Sequence, residues 1–143
     1  MLVIFLIAIL YTALTVFSTS FLTSLSVPVF LIVLYILPIL INLVFTKLQK
    51  TDKGKLIFSL LLPTVSVVFY ILFAYFTSQS GSWMEFVKMN TISEERVSVE
   101  ISENLMSIGQ VVFALLSYYA SSLGFYLISK LSKKSKVKGV RYA

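Results

Sequence analysis

Residues 2–22, LVIFLIAILYTALTVFSTSFL, contain no charged side chain. A helix rising about 1.5 Å per residue carries such a run across roughly 30 Å, the depth of a bilayer's hydrocarbon core. Neither Lys nor Arg precedes it, and it is longer than the apolar core of a cleavable secretion signal. It is read as a retained first span. The same test applied outward finds three more, at about 29–46, 56–77 and 105–129. Pro28, just before the second, suits a first helical turn, where its missing N–H is not needed.

Composition points the same way. The chain has 143 residues, of which 58% are hydrophobic and 13% charged. Soluble domains average about 45–50% and about 25%. A soluble fold of this length could not hide that surplus, because small domains leave a large share of their surface exposed. The length suits one membrane domain over residues 1–143, and no internal repeat is visible.

Charge placement supplies an orientation. The turn 47–55 carries Lys47, Lys50, Lys53 and Lys55, and the tail 130–143 carries Lys130, Lys133, Lys134, Lys136, Lys138 and Arg141. The long segment 78–104 has only Lys88 and Arg96, against Glu85, Glu94, Glu95, Glu100 and Glu103. With four spans, the basic segments fall on one face and the basic-poor ones on the other. The positive-inside rule makes the basic face cytoplasmic. The expected fold is therefore an all-α integral membrane protein, a four-transmembrane-helix bundle with both ends inside. The outer segment has no N-x-[ST] signal, which favours a bacterial plasma membrane over a eukaryotic one.

Several chemistries are set aside. The chain has no Cys and no His, which removes disulfides, thiolate nucleophiles, imidazole relays and the usual zinc ligands. The four spans also lack Asp, Glu, Lys and Arg. A charge at bilayer depth is costly and usually marks an ion path or proton relay. No catalytic group, cofactor or metal site is expected, and no enzyme.

Polar and small residues within the spans suggest packing. Ala8, Thr12, Thr15 and Thr19 share one helical face, and Ala114, Ser117, Ser121 and Gly124 share another. Small side chains let membrane helices approach closely, so both faces are expected to pack inward, with one against the other as one arrangement. A polar pore lining is the alternative. Asn42 and Gln110 lie near opposite ends of their helices and read as interfacial amides that do not meet, with a bond from each to a neighbouring helix as the alternative. Pro38 and Pro63 stand at matching distances from the basic turn, where two adjacent helices would bend together. Shape matching between neighbours explains them, and a hinge is the alternative.

The outer segment is the most individual part. Trp83 reads as an interfacial anchor on a short amphipathic helix running to Met89. Ser93, followed by Glu94 and Glu95, resembles a helix N-cap. The spacing of Val97, Ile101, Leu105 and Ile108 then predicts a fourth helix extended outward from about Ser93. The alternation Val97, Val99, Ile101 allows a strand instead. Trp83, Glu94, Glu95, Glu100 and Glu103 form a candidate outer docking surface, with a solvated acidic cap as the simpler account. The basic tail suits contact with anionic lipid, at about 1 kcal/mol per residue. It lacks the aromatic interleaving and length that nucleic acid would require.

The function expected is that of a small non-enzymatic membrane protein of accessory, regulatory or immunity type. Its partners would be membrane lipids together with another membrane protein or an extracellular peptide. A small transporter or pore-forming subunit with Ser/Thr-lined helix faces is the rival.

Overall fold

The computed structural model describes residues 2–94, 97–99 and 101–139. Four of its helices are long and apolar enough to cross a membrane, over Val3–Ser20, Val27–Leu48, Asp52–Gln79 and Ile108–Ser132. We label the helices α1 (Leu2–Ser20), α2 (Val27–Leu48), α3 (Asp52–Gln79), α4 (Ser82–Asn90) and α5 (Ile108–Gly139). Two three-residue strands, β1 (Ile92–Glu94) and β2 (Val97–Val99), lie between α4 and α5.

The helices alternate in direction. Residues Ala8 and Val65 line one part of the α1–α3 seam, and Thr19 and Phe76 line another, so α1 and α3 run parallel. Tyr119 meets Thr64 while Leu105 meets Tyr70, so α5 runs antiparallel to α3. This gathers the Lys47–Lys55 turn and Lys130 at one end of the bundle. The turn at Leu22–Ser24 and α4 pack together at the other.

The central pair is α2 and α3, joined by a tight turn. Thr51 caps α3 by accepting the Gly54 N–H at 3.0 Å. That cap needs a glycine, since a Cβ on residue 54 would stand 2.8 Å from the Thr51 hydroxyl. Helix α1 lies on α3, and α5 packs against both α2 and α3. The buried face of α1 is Ile7, Tyr11, Leu14 and Ser18, at helical spacing. That of α5 is Ala114, Tyr118, Ser122 and Tyr126.

At the α4 end the core is aromatic. Gly81, with φ of 74°, reverses the chain between α3 and α4, a conformation only glycine adopts freely. The reversal folds α4 back so that Trp83, Phe86 and Val87 are buried. Phe30 of α2 sits 5.0 Å from the Phe86 ring and 5.4 Å from that of Trp83. Outward faces stay apolar, as Phe5, Phe113 and Leu116 illustrate.

One expectation is overturned. No helix extends outward from Ser93. Residues Ile92–Glu94 pair antiparallel with Val97–Val99, as the alternation in that stretch allowed. The carbonyls of Ser102 and Glu103 are taken by the Trp83 indole N–H, at 3.2 and 3.0 Å, and that of Leu105 by the Tyr70 hydroxyl. Helix α5 begins only at Ile108, with the Ser107 hydroxyl accepting the Gln110 N–H at 3.4 Å. At the far end, α5 continues through the expected tail as far as Gly139.

Candidate functional site: the polar centre of the bundle

Three helices meet at a closed ring of hydrogen bonds. The Tyr11 hydroxyl donates to Asn42 Oδ1 at 2.9 Å, and Asn42 Nδ2 donates to the Ser66 hydroxyl at 2.9 Å. Ser66 Oγ lies 2.6 Å from the Tyr11 oxygen. Either oxygen can donate across this last edge, and the serine hydroxyl also has the Leu62 carbonyl in reach at 3.1 Å. Every oxygen and the amide nitrogen of the ring thus has a hydrogen-bond partner in an apolar interior. Asn42 and Ser66 are both fully buried. The expectation that Asn42 is an interfacial amide is corrected: it joins α1, α2 and α3. Gln110 stands apart in the first turn of α5.

A second polar contact repairs a gap in α2. Pro38 has no N–H, so the Leu34 carbonyl loses its usual helical donor four residues on. The Tyr118 hydroxyl of α5 donates to that carbonyl at 2.6 Å. Just before the proline, residues Ile32–Ile36 form a π-turn, with the Leu37 N–H reaching Ile32. Around this level lies a layer of rings. Tyr35 stands 6.2 Å from Tyr70, 5.5 Å from Phe113 and 6.4 Å from Tyr118.

The two prolines are both buried but do not mark one level. Each precedes its member of the Asn42–Ser66 bond, and α2 and α3 run in opposite directions. Pro38 therefore lies on the α4 side of that bond and Pro63 on the basic side. The expectation of two helices bent together is not met.

The small-residue faces are also placed differently. Ala8 and Thr12 are exposed, and with Thr15 they edge a groove of about 200 Å³ between α1 and α3. Thr15 and Thr19 border its continuation. The Thr12, Thr15 and Thr19 hydroxyls each donate to a carbonyl four residues back, at 2.8 Å, which uses their protons within α1. On α5, Ala114 is buried, while Ser117, Ser121 and Gly124 are half-buried. A Cβ at Gly124 would meet nothing within 4 Å, so that glycine is not a point of close approach. Helices α1 and α5 each make their main packing contact with α3. The physical reason is that large side chains, Tyr11 and Tyr118, carry the interior contacts and turn the small faces aside.

Outside the bundle centre, Trp83 is 2% exposed and does not belong to an open docking surface. Glu103 is exposed, and Glu94 stands in β1. Glu95, Glu100 and Arg141 lie outside the described residues. Lys47, Lys50, Lys53 and Lys130 are exposed, and the Lys130 ammonium sits 5.9 Å from the Tyr126 ring. Lys133, Lys134, Lys136 and Lys138 follow along the last turns of α5.

What sequence reasoning missed is the role of the tyrosines. Their signal was available: Tyr11, Tyr70 and Tyr118 are amphipathic side chains far from any helix end, where a buried hydroxyl must find a partner. The chemistry at this centre is that of amides, hydroxyls and phenols holding helices in register. Among the described residues no group of His, Cys, Asp or Glu is arranged to hold a metal ion. The bundle thus defines a class, a four-helix assembly with helices apolar and long enough to be multi-pass. No family model matches the sequence, and no curated protein or solved structure matches it significantly.

Proposed function

We propose that the protein is a small non-enzymatic multi-pass membrane protein that acts by contact with other proteins and with lipid. Its role is of accessory, regulatory or immunity type. The supporting observation is the interior itself. The helices are closed against one another by the Tyr11–Asn42–Ser66 ring and the aromatic layers, while the outward faces are apolar. The centre is built of amides, hydroxyls and phenols that bond helix to helix, and the apolar outward faces are available to a partner. The cell membrane is the proposed location, bacterial rather than eukaryotic, with the basic end and both termini in the cytoplasm.

Lipid contact is assigned to the basic end. Lys47, Lys50, Lys53 and Lys130 are exposed there together, and each adds about 1 kcal/mol of attraction to an anionic leaflet. In the rival, a transporter or pore-forming subunit, the threonine hydroxyls would meet a solute through their oxygen lone pairs, since their protons are bonded within α1. Ion flux in liposomes separates the two. No flux from purified protein, with recovery of a bound membrane protein in mild detergent, supports the interaction role. Flux abolished by a bulky residue at Thr12 or Ser117 overturns it.

A further inference from the structure

Helix α2 is held by two different sets of contacts along its length. On the basic side of Pro38, the Asn42 amide ties it to α1 and α3 through directional bonds. On the α4 side, Phe30 packs against the rings of Phe73, Trp83 and Phe86, and Tyr35 stands against that of Tyr70. Apolar ring contacts tolerate sliding and tilting far better than a closed hydrogen-bond ring does. Between the two regions the backbone ladder is weakest. There the π-turn of Ile32–Ile36 runs into a proline, and a helix normally changes direction at such features.

The Leu34 carbonyl is the exposed end of that break. In an apolar surrounding an unpaired carbonyl is strongly disfavoured, and the Tyr118 hydroxyl supplies its donor from α5. Tyr118 is fully buried, so water does not replace it when the contact is lost. We infer that α2 is hinged between Ile32 and Pro38, and that the Tyr118 hydroxyl is the latch that holds the hinge closed against α5. Releasing the latch lets the Val27–Leu34 half tilt away from α5 and opens the ring layer of Tyr35, Tyr70 and Phe113. The half containing Asn42 stays in place. This goes beyond the interaction role, and it holds whichever solute or partner the protein serves.

The chain has no cysteine, so spin labels can be placed one pair at a time. Labels at Val29→Cys and Val112→Cys report the α4-side separation of α2 and α5, and labels at Val44→Cys and Leu127→Cys report the basic side. All four positions are exposed. Tyr118→Phe removes one oxygen and keeps the ring. In nanodiscs it is expected to add a longer-distance population for the 29–112 pair and to leave the 44–127 pair unchanged. Pro38→Ala restores an N–H opposite Leu34, so in that background Tyr118→Phe should add no such population. If Tyr118→Phe alone fails to fold while the double variant folds, the latch is supported. An unchanged 29–112 distance, equal changes in both pairs, or a Tyr118→Phe effect that survives Pro38→Ala overturns the hinge.

Discussion

Asn42 and Ser66 are joined side chain to side chain at 2.9 Å, and both are wholly enclosed by protein. With Tyr11 they form the one directional clamp that spans α1, α2 and α3. Apolar packing alone leaves helices free to slip by a turn, whereas a ring of three satisfied polar groups defines one register.

Asn42→Ala should therefore destabilise the bundle by about 1–3 kcal/mol, since it leaves the Tyr11 and Ser66 hydroxyls buried without that partner. The Asn42–Ser66 coupling in a double-mutant cycle should be about 0.6 kcal/mol and at most about 1.7. Unfolding in mixed micelles with rising SDS measures both. A single-mutant cost no greater than that of an exposed substitution such as Val44→Ala would count against the clamp.

Trp83 is the only tryptophan, so its fluorescence reports the α4 cap directly. Its burial predicts blue-shifted emission and weak quenching by acrylamide. Trp83→Phe keeps an aromatic group, though a smaller one, and removes the N–H that bonds two carbonyls, at a cost of about 1–3 kcal/mol for the lost bond. Trp83→Ala should cost about 3–5 kcal/mol through the cavity it leaves. Emission typical of water-exposed indole would contradict the folded-back α4.

Cross-linking tests the helix arrangement. Thr15 and Leu72 border the same groove, while Thr15 and Ser117 belong to helices that each pack chiefly on α3. With a short bifunctional thiol reagent, Thr15→Cys with Leu72→Cys should join in high yield. Thr15→Cys with Ser117→Cys should not. The reverse pattern would require a different packing of α1.

Neutralising the basic end should weaken its preference for anionic lipid. Lys47, Lys50, Lys53 and Lys130 to Gln should each lower enrichment of a labelled anionic lipid about fivefold at low salt. High ionic strength should erase the same preference in the parent protein. Equal enrichment of zwitterionic and anionic lipid around the unaltered protein would sink the assignment.

Much of the fold was legible because hydropathy over some twenty residues is a sum, and sums are robust. Charge-free runs announced the four long helices, and their boundaries moved by only a few residues. The segment after α4 was misjudged for the opposite reason. Val97, Ile101, Leu105 and Ile108 do repeat at helical spacing. However, the carbonyls such a helix needs are claimed by Trp83 and Tyr70 from elsewhere in the fold.

The candidate site was far less readable. Small-residue stripes suggested which faces meet, yet packing followed the bulky neighbours Tyr11 and Tyr118, whose rings bury more area and whose hydroxyls need partners. The sequence by itself determined the number of apolar helices, the positions of the basic segments and the lack of Asp, Glu, Lys, Arg and His within the apolar spans. Only the tertiary structure decided that Asn42 meets Ser66 and Tyr11, and that Tyr118 answers the gap left by Pro38. Hydropathy is written residue by residue, but a hydrogen bond between helices depends on where two distant backbones come to rest.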